Sequence, residues 1–147
     1  MGDSVTLIER ATTIAREIRT DLLRCTEAPR DLAGECGLAA MLMATALKNP
    51  YALRTGFYMK FQTLFGKRGR YPHRHAWCRV GTMIVDVTAT QFEQRNKAVH
   101  VARFDENRRY IETASGRDAI DDIMINWCGC EVPAYVQLAK GLRRGLR

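Results

Sequence analysis

The sequence predicts an α+β fold, with helices first and antiparallel strands after them. Apolar residues recur at helical spacing across residues 5–22, whereas apolar and polar residues alternate across residues 53–61. Helices and strands that occupy separate parts of a chain are typical of α+β architecture. The 147 residues fit one domain, residues 1–147, around a single core.

The first predicted element is a helix that begins at Asp3 or Ser4 and runs to about Arg24. Both residues are favoured N-caps, and the apolar stripe begins directly after them. Residues 26–35 are predicted to form a loop, because they contain a proline and a glycine and show no periodicity.

The second predicted helix begins near Cys36 and runs to Lys48, and the Asn49-Pro50 pair ends it. Its sequence, CGLAAMLMATALK, is apolar almost all round. A helix of this kind is usually buried on most sides. We therefore expect a buried, cysteine-bearing helix that packs on an antiparallel sheet.

Three strands are predicted in the middle of the chain. Alternation predicts a strand over residues 52–61, and GKRGRYP, residues 66–72, is predicted to be a basic loop. Residues 75–80 and 83–87 are predicted to pair through a tight Gly81-Thr82 turn.

The C-terminal part carries further strand and helix signals. Residues 98–104 are predicted to form another strand. Ser115 or Asp118 can start a short helix over residues 119–127, and residues 132–142 are predicted to form a last helix before a basic tail.

The predicted hairpin brings a histidine and an aspartate within reach of each other. A turn that sets Val80 opposite Met83 puts His75 and Asp86 diagonally on one face, about 7–8 Å apart at the backbone. Aspartate is a poor strand former, and an ionised carboxylate inside a sheet requires a partner. His75 is the predicted partner, and Arg79 is the alternative.

Cys36 is the candidate nucleophile. A thiol at a helix N-terminus meets the positive end of the helix dipole, and the free N–H groups of the first turn can stabilise an oxyanion. Gly37 would permit close approach of a substrate. His75 and Asp86 can supply the base and its orienting acceptor. The alternatives are that Cys36 is a core cysteine and that His73 is the base.

The order of these pieces resembles a known group of enzymes. GECGLAAMLMATAL, followed by HAW and VDVT, resembles the transglutaminase-like branch of the papain-like cysteine enzymes over roughly residues 34–92. The resemblance implies a papain-like fold, with Cys36 as nucleophile, His75 as base and Asp86 as orienting acid. Val87 stands where the family usually has proline.

The resemblance also implies attack on an amide or acyl bond through a thioester intermediate. Water would resolve the thioester in a protease or a protein-glutamine deamidase, and an amine would resolve it in a transglutaminase. A protein or peptide substrate is expected, with no cofactor and no metal. Because no glutamine precedes Cys36, backbone N–H groups or Gln91 would supply the oxyanion donor. A catalytically inactive binding scaffold is the alternative within this fold.

The positive charge suggests a second class of function. The net charge is +7 and the pI about 9.5, with cations concentrated at residues 67–79 and in the C-terminal tail. Such a surface favours an acidic protein partner or nucleic acid, although a solvated face is the plain explanation. A nucleic-acid-binding module would use Tyr58, Phe65 and Tyr71 for stacking on bases. An acidic protein partner is favoured over nucleic acid.

The cysteines and the apolar runs bear on the compartment. Five cysteines without a signal-peptide pattern predict free thiols and a cytoplasmic protein, with export by a signal-free route as the alternative. No apolar run approaches the ~20 residues of a membrane span. Cys128 and Cys130 could form a zinc site with His73, His75 and Cys78, but C-x-C is shorter than the usual zinc spacing.

Overall fold

The computed structural model of the protein describes residues 2–24, 35–92, 98–106, 108–127 and 133–146. Cys25, Cys128 and Cys130 lie outside these ranges, and so do residues 26–34 of the predicted loop. The zinc hypothesis therefore falls outside the described residues.

The described residues form four α-helices and one five-stranded antiparallel sheet, which confirms the α+β prediction. The helices are α1 (Gly2–Arg24), α2 (Cys36–Ala46), α3 (Gly116–Asn126) and α4 (Pro133–Arg144). The strands are β1 (Leu53–Leu64), β2 (Lys67–Val80), β3 (Met83–Asp86), β4 (His100–Arg103) and β5 (Tyr110–Ser115). They lie in the order β4-β3-β2-β1-β5, and every neighbouring pair is antiparallel. No helix among the described residues is both long and apolar enough to cross a membrane.

Helix α2 is buried because alanine and methionine cover most of its surface. It packs with α1, α4 and the sheet in one apolar cluster. Gly37 serves this packing, since a Cβ atom there would lie 3.1 Å from Cγ2 of Ile123 and 3.2 Å from Cγ of Trp127. The absence of a side chain at Gly37 therefore lets α3 pack close to α2. This role differs from the prediction that Gly37 permits close approach of a substrate.

The two faces of the sheet have different compositions. Ala76 and Cys78 of β2 belong to the helix-side cluster, whereas Trp77 belongs to a smaller, mainly aromatic cluster on the other face. Successive side chains of a strand point to opposite faces, so His75 shares the aromatic face with Trp77. The buried members of the aromatic cluster are Tyr58, Trp77, Ile84 and Tyr110.

The hairpin register is as predicted, with Val80 opposite Met83. The basic loop predicted at residues 66–72 is wrong, because β2 already begins at Lys67. Phe65 and Gly66, with φ of 52° and 79°, form a two-residue turn between β1 and β2. Polar residues on both faces of this segment hide the strand alternation.

The distal part of this hairpin projects beyond the rest of the sheet. The pairing of β5 with β1 ends at Tyr58 opposite Tyr110, and the pairing of β3 with β2 begins only at Cys78. Residues 59–72 thus pair with each other and with no other strand among the described residues. We call residues 59–72 the arm.

Strand β5, which the sequence did not predict, is joined to β1 through a β-bulge at Thr55 and Gly56. A Cβ atom on Gly56 would lie 1.9 Å from the backbone oxygen of Ile111, so a side chain cannot be accommodated there without movement of the backbone. Beyond the bulge, Tyr110 pairs with Tyr58.

Candidate active site

His75 and Asp86 form a fully buried ion pair. Nε2 of His75 lies 2.6 Å from Oδ2 of Asp86, and both residues are 0% exposed. Their positions follow from the register of the β2–β3 hairpin, which puts them diagonally on the aromatic face. The structure therefore brings this predicted pair together.

The Asp86 carboxylate is hydrogen-bonded on both oxygens. The Tyr110 hydroxyl donates to Oδ2 at 2.5 Å, and the backbone N–H of Thr88 donates to Oδ1 at 3.0 Å. Arg79, the alternative partner, lies over the Phe104 ring at 4.0 Å instead. Together with Nε2 of His75, these groups give the carboxylate three hydrogen-bond donors, which compensate the cost of its burial.

The electrostatics of the pair favour imidazolium and carboxylate. Burial alone lowers the pKa of His75, but the charge of Asp86 and hydrogen bonds with Asp86 and Cys36 raise it to about 10. Burial alone would raise the pKa of Asp86, yet the His75 charge and the donors from His75, Tyr110 and Thr88 lower it. Each charge is thus stabilised by the other.

Cys36 is the first residue of α2 and is 2% exposed. It lies close enough to the His75 imidazole to help raise the pKa of that ring. Because Nε2 of His75 is bound to Asp86, Nδ1 is the ring nitrogen left for Cys36. Glu35 at the N-cap makes no side-chain cap hydrogen bond, so it does not occupy the first-turn N–H groups of α2.

Gln91 lies at the Nδ1 side of the His75 imidazole, opposite the Nε2 atom that is bound to Asp86. Its amide nitrogen lies 3.4 Å from Nδ1 of His75 and donates to Oγ1 of Thr88 at 3.0 Å. The amide therefore lies at the ring nitrogen that is available to Cys36. Gln91 is the side chain that the sequence predicts as an oxyanion donor, and the structure places its amide against the His75 imidazole.

Tyr135 of α4 is a second polar group beside Cys36 that the sequence did not single out. Burial first, and then the charges of Glu35 and Cys36, raise the pKa of Tyr135 to about 12, although a hydrogen bond with the Leu38 backbone opposes them. Its neutral hydroxyl thus lies at the first turn of α2. No pattern local to α4 marks this tyrosine, because the contact depends on helix packing.

Aromatic rings enclose the pair. Phe92 lies edge-on to His75, with centroids 4.7 Å apart, and is stacked on Tyr58 at 4.5 Å. Trp77 lies 5.8 Å from the His75 ring and 5.1 Å from that of Tyr110. The rings exclude water from the ion pair, which strengthens its electrostatic interaction.

The alternative candidates occupy other surroundings. His73 is hydrogen-bonded to Gln62, and its pKa is lowered by burial and by the charge of Lys60. Cys78 lies on the helix side of β2, donates to the Ala40 backbone oxygen at 3.4 Å, and has its pKa raised to about 12 by burial. Neither residue joins the His75–Asp86 pair. The described residues contain no cluster of three or more His, Cys, Asp or Glu that could hold a metal ion.

Comparisons of the chain with protein-family models, with curated proteins and with solved structures gave no match. The candidate function therefore rests on the geometry of the residues around Cys36.

Proposed function

We propose that the protein is a cysteine enzyme of the transglutaminase-like, papain-like class, which cleaves or transfers acyl groups at amide bonds. The observation that carries the proposal is the buried His75–Asp86 pair beside Cys36 at the start of α2, in which the aspartate holds Nε2 of the imidazole. A nucleophile, a base and an orienting acid are the groups that acyl transfer requires.

The Cys36 thiolate attacks the carbonyl carbon of the amide, and the carbonyl becomes an oxyanion. The C–N bond then breaks, the leaving amine takes a proton from Nδ1 of His75, and a thioester remains on Cys36. Water attacks the thioester while His75 accepts a proton from it, the S–C bond breaks, and a carboxylic acid is released. If an amine attacks instead, the product is a new amide. Asp86 keeps the Nε2–H bond in place throughout.

Three groups near Cys36 could stabilise the oxyanion. The first-turn N–H groups of α2 point out of its N-terminal end, and the Tyr135 hydroxyl lies at the same turn. The Gln91 amide lies 3.4 Å from Nδ1 of His75. Hydrogen-bond donors that are fixed before the reaction contribute most in a dry site. This donor set supports acyl transfer more than it supports a purely structural ion pair.

The first test is the pH dependence of iodoacetamide labelling, with the labelled cysteine mapped by mass spectrometry. We expect Cys36 to label rapidly below pH 7 in the wild type and to lose that reactivity in His75→Ala. His73→Ala is the matched control and should leave the labelling unchanged. If Cys36 labels only in unfolded protein, it is a core cysteine and the proposed enzyme function is wrong.

Gln91→Ala separates an oxyanion donor from a residue that positions His75. Alkylation by iodoacetamide forms no oxyanion, whereas acylation by p-nitrophenyl acetate does. We expect Gln91→Ala to slow acylation by about 100-fold and to leave alkylation nearly unchanged. Gln62→Ala, which removes the amide bound to His73, is the control. Equal losses in both reactions would assign Gln91 to the positioning of His75.

A further inference from the structure

The arm extends away from the body of the protein. Its strands leave the five-stranded part of the sheet after Tyr58 and return at His73. At the usual rise per residue, the strand from residue 59 to residue 64 reaches about 20 Å beyond that point. A two-stranded ribbon of this length contributes little to a core, because both of its faces meet solvent.

The arm is strongly cationic. It contains Lys60, Lys67, Arg68 and Arg70, and no aspartate or glutamate occurs in the sequence between Glu35 and Asp86. The arm itself therefore contributes four positive charges and no negative charge. An excess of one charge sign on a projecting element attracts a partner of the opposite sign.

The arginines are held in defined positions by aromatic rings. The guanidinium groups of Arg68 and Arg70 lie 5.3 and 5.5 Å from the centroid of Phe61. At the base of the arm, Arg74 lies over the Phe57 ring at 5.7 Å in the same way. Such contacts reduce the freedom of the long side chains before a partner binds.

The tip of the arm adds an exposed apolar anchor. Phe65 in the turn is 102% exposed, and Leu64 beside it is also exposed. A fully exposed phenylalanine gains about 1.5–3 kcal/mol when it is buried. Aromatic residues and arginine together are the residue types enriched at the centre of protein–protein interfaces.

We propose that the arm is the docking surface for an acidic segment of a polypeptide, which we take to be the substrate of the Cys36 site. The proposal rests on the proposed function, because it is the enzyme that requires a polypeptide to be held near Cys36. Arg68, Arg70 and Ala76 lie on one face of β2, and Ala76 packs in the helix-side cluster that contains Cys36. A chain bound along the arm can therefore extend to the reacting thiol.

The chemistry of the arm favours carboxylates over bases or lipids. Stacking on successive bases requires several uncovered rings, but Arg68 and Arg70 lie over Phe61, and Arg74 lies over Phe57. Of the rings predicted to stack on bases, Tyr58 is buried, Tyr71 is half-buried and Phe65 is exposed. Planar guanidinium groups bind carboxylates through paired hydrogen bonds. Membrane binding would require the tip of the arm to insert into lipid. The exposed Phe65 ring at the tip is too little apolar area for stable anchoring.

The test is fluorescence anisotropy with a fluorescein-labelled 20-residue poly-L-glutamate, on the full chain carrying Cys36→Ala so that no reaction occurs. We expect salt-sensitive binding that weakens at least about tenfold in Arg68→Gln/Arg70→Gln. Lys140→Gln/Arg144→Gln on α4 removes the same charge from exposed positions and should change the affinity less than about twofold. Phe65→Ser should also weaken binding.

Two results would overturn the proposal. One is an equal loss of affinity in the α4 control, because binding would then follow net charge alone. The other is tighter, arm-dependent binding of a 20-nucleotide DNA or of phosphatidylserine vesicles than of the glutamate peptide. A second experiment separates this proposal from the proposed function. It measures iodoacetamide labelling of Cys36 in the wild-type protein and in Arg68→Gln/Arg70→Gln, both of which keep Cys36. Unreactive Cys36 with arm-dependent peptide binding would remove the enzyme and the substrate role but keep the docking surface.

Discussion

His75, in the C-terminal half of β2, carries a buried charge, whereas Lys67, Arg68 and Arg70 in the N-terminal half of the same strand carry exposed charges. His75 is enclosed by aromatic rings and bound to Asp86 at 2.6 Å, while Lys67 and Arg68 are exposed and have no acidic residue within the arm. Removal of a charge from water costs several kcal/mol, so a buried charge needs a partner. An exposed cation stays hydrated and needs none. The two halves therefore differ in how much one substitution should change.

The largest effect is expected from removal of the buried carboxylate. Asp86→Ala leaves the His75 imidazole, the Tyr110 hydroxyl and the Thr88 N–H without their acceptor. The free energy of unfolding should fall by about 3–5 kcal/mol, as measured by urea denaturation. Asp105→Ala, which removes an exposed partner of Arg103, should cost less than about 1 kcal/mol. Similar losses of unfolding free energy in the two variants would show that burial does not determine the cost of removing a carboxylate.

The pH dependence of stability should come next. Below pH 6.5 the folded and unfolded states both keep the His75 proton, so the ion pair contributes fully. Above pH 6.5 only the folded state keeps that proton, so the unfolding free energy should fall as the pH rises towards about 10. Nitrogen-15 spectra at pH 8 should show an imidazolium at His75 and a neutral ring at His73. A neutral His75 ring at pH 8 would contradict the ion pair.

A smaller effect is expected from the hydroxyl that supports Asp86. Tyr110→Phe removes a hydrogen bond to a charged, buried acceptor and should lower the unfolding free energy by about 1.5–3 kcal/mol. Tyr71→Phe removes a hydroxyl that donates to the Lys67 backbone oxygen on the exposed arm, and should cost about 0.5 kcal/mol or less. Equal costs would mean that Tyr110 contributes through packing alone.

The smallest effect should come from the arm. Arg68→Gln/Arg70→Gln should change the unfolding free energy by no more than about 0.5 kcal/mol, because the arm contributes little to the core. The rate of Cys36 labelling should also stay unchanged. A loss above about 1 kcal/mol would show that the arginines stabilise the fold, and the contrast between the two halves of β2 would disappear.

The local part of the site could be predicted from the sequence. Gly81-Thr82 defines a short turn, and its position fixes which residues of β2 and β3 face each other. A count of residues from this turn therefore predicts that His75 and Asp86 lie close together. The apolar stretch that begins near Cys36 and ends at Asn49-Pro50 likewise predicts helix α2.

The rest depended on contacts that leave no local pattern. Tyr110 reaches Asp86 across 24 positions of the chain, and β5 alternates too weakly to be recognised. The sequence predicts a loop at residues 66–72 of the arm because charged and apolar residues share both faces there, and no local pattern marks the Phe65-Gly66 turn. The sequence offers Gln91 only as an alternative to backbone donors, because its distance from His75 depends on how the chain folds back after β3.

Gly56 has no side chain, yet the geometry of the candidate site depends on it. The bulge that Gly56 permits shifts β5 by one residue, and a shift of one residue exchanges the two faces of a strand. Without that shift, the Tyr110 hydroxyl would be directed at the helices and Asp86 would lose a donor. A sequence signature for detecting related chains should therefore specify a glycine about 20 positions before the histidine, alongside the cysteine and the aspartate.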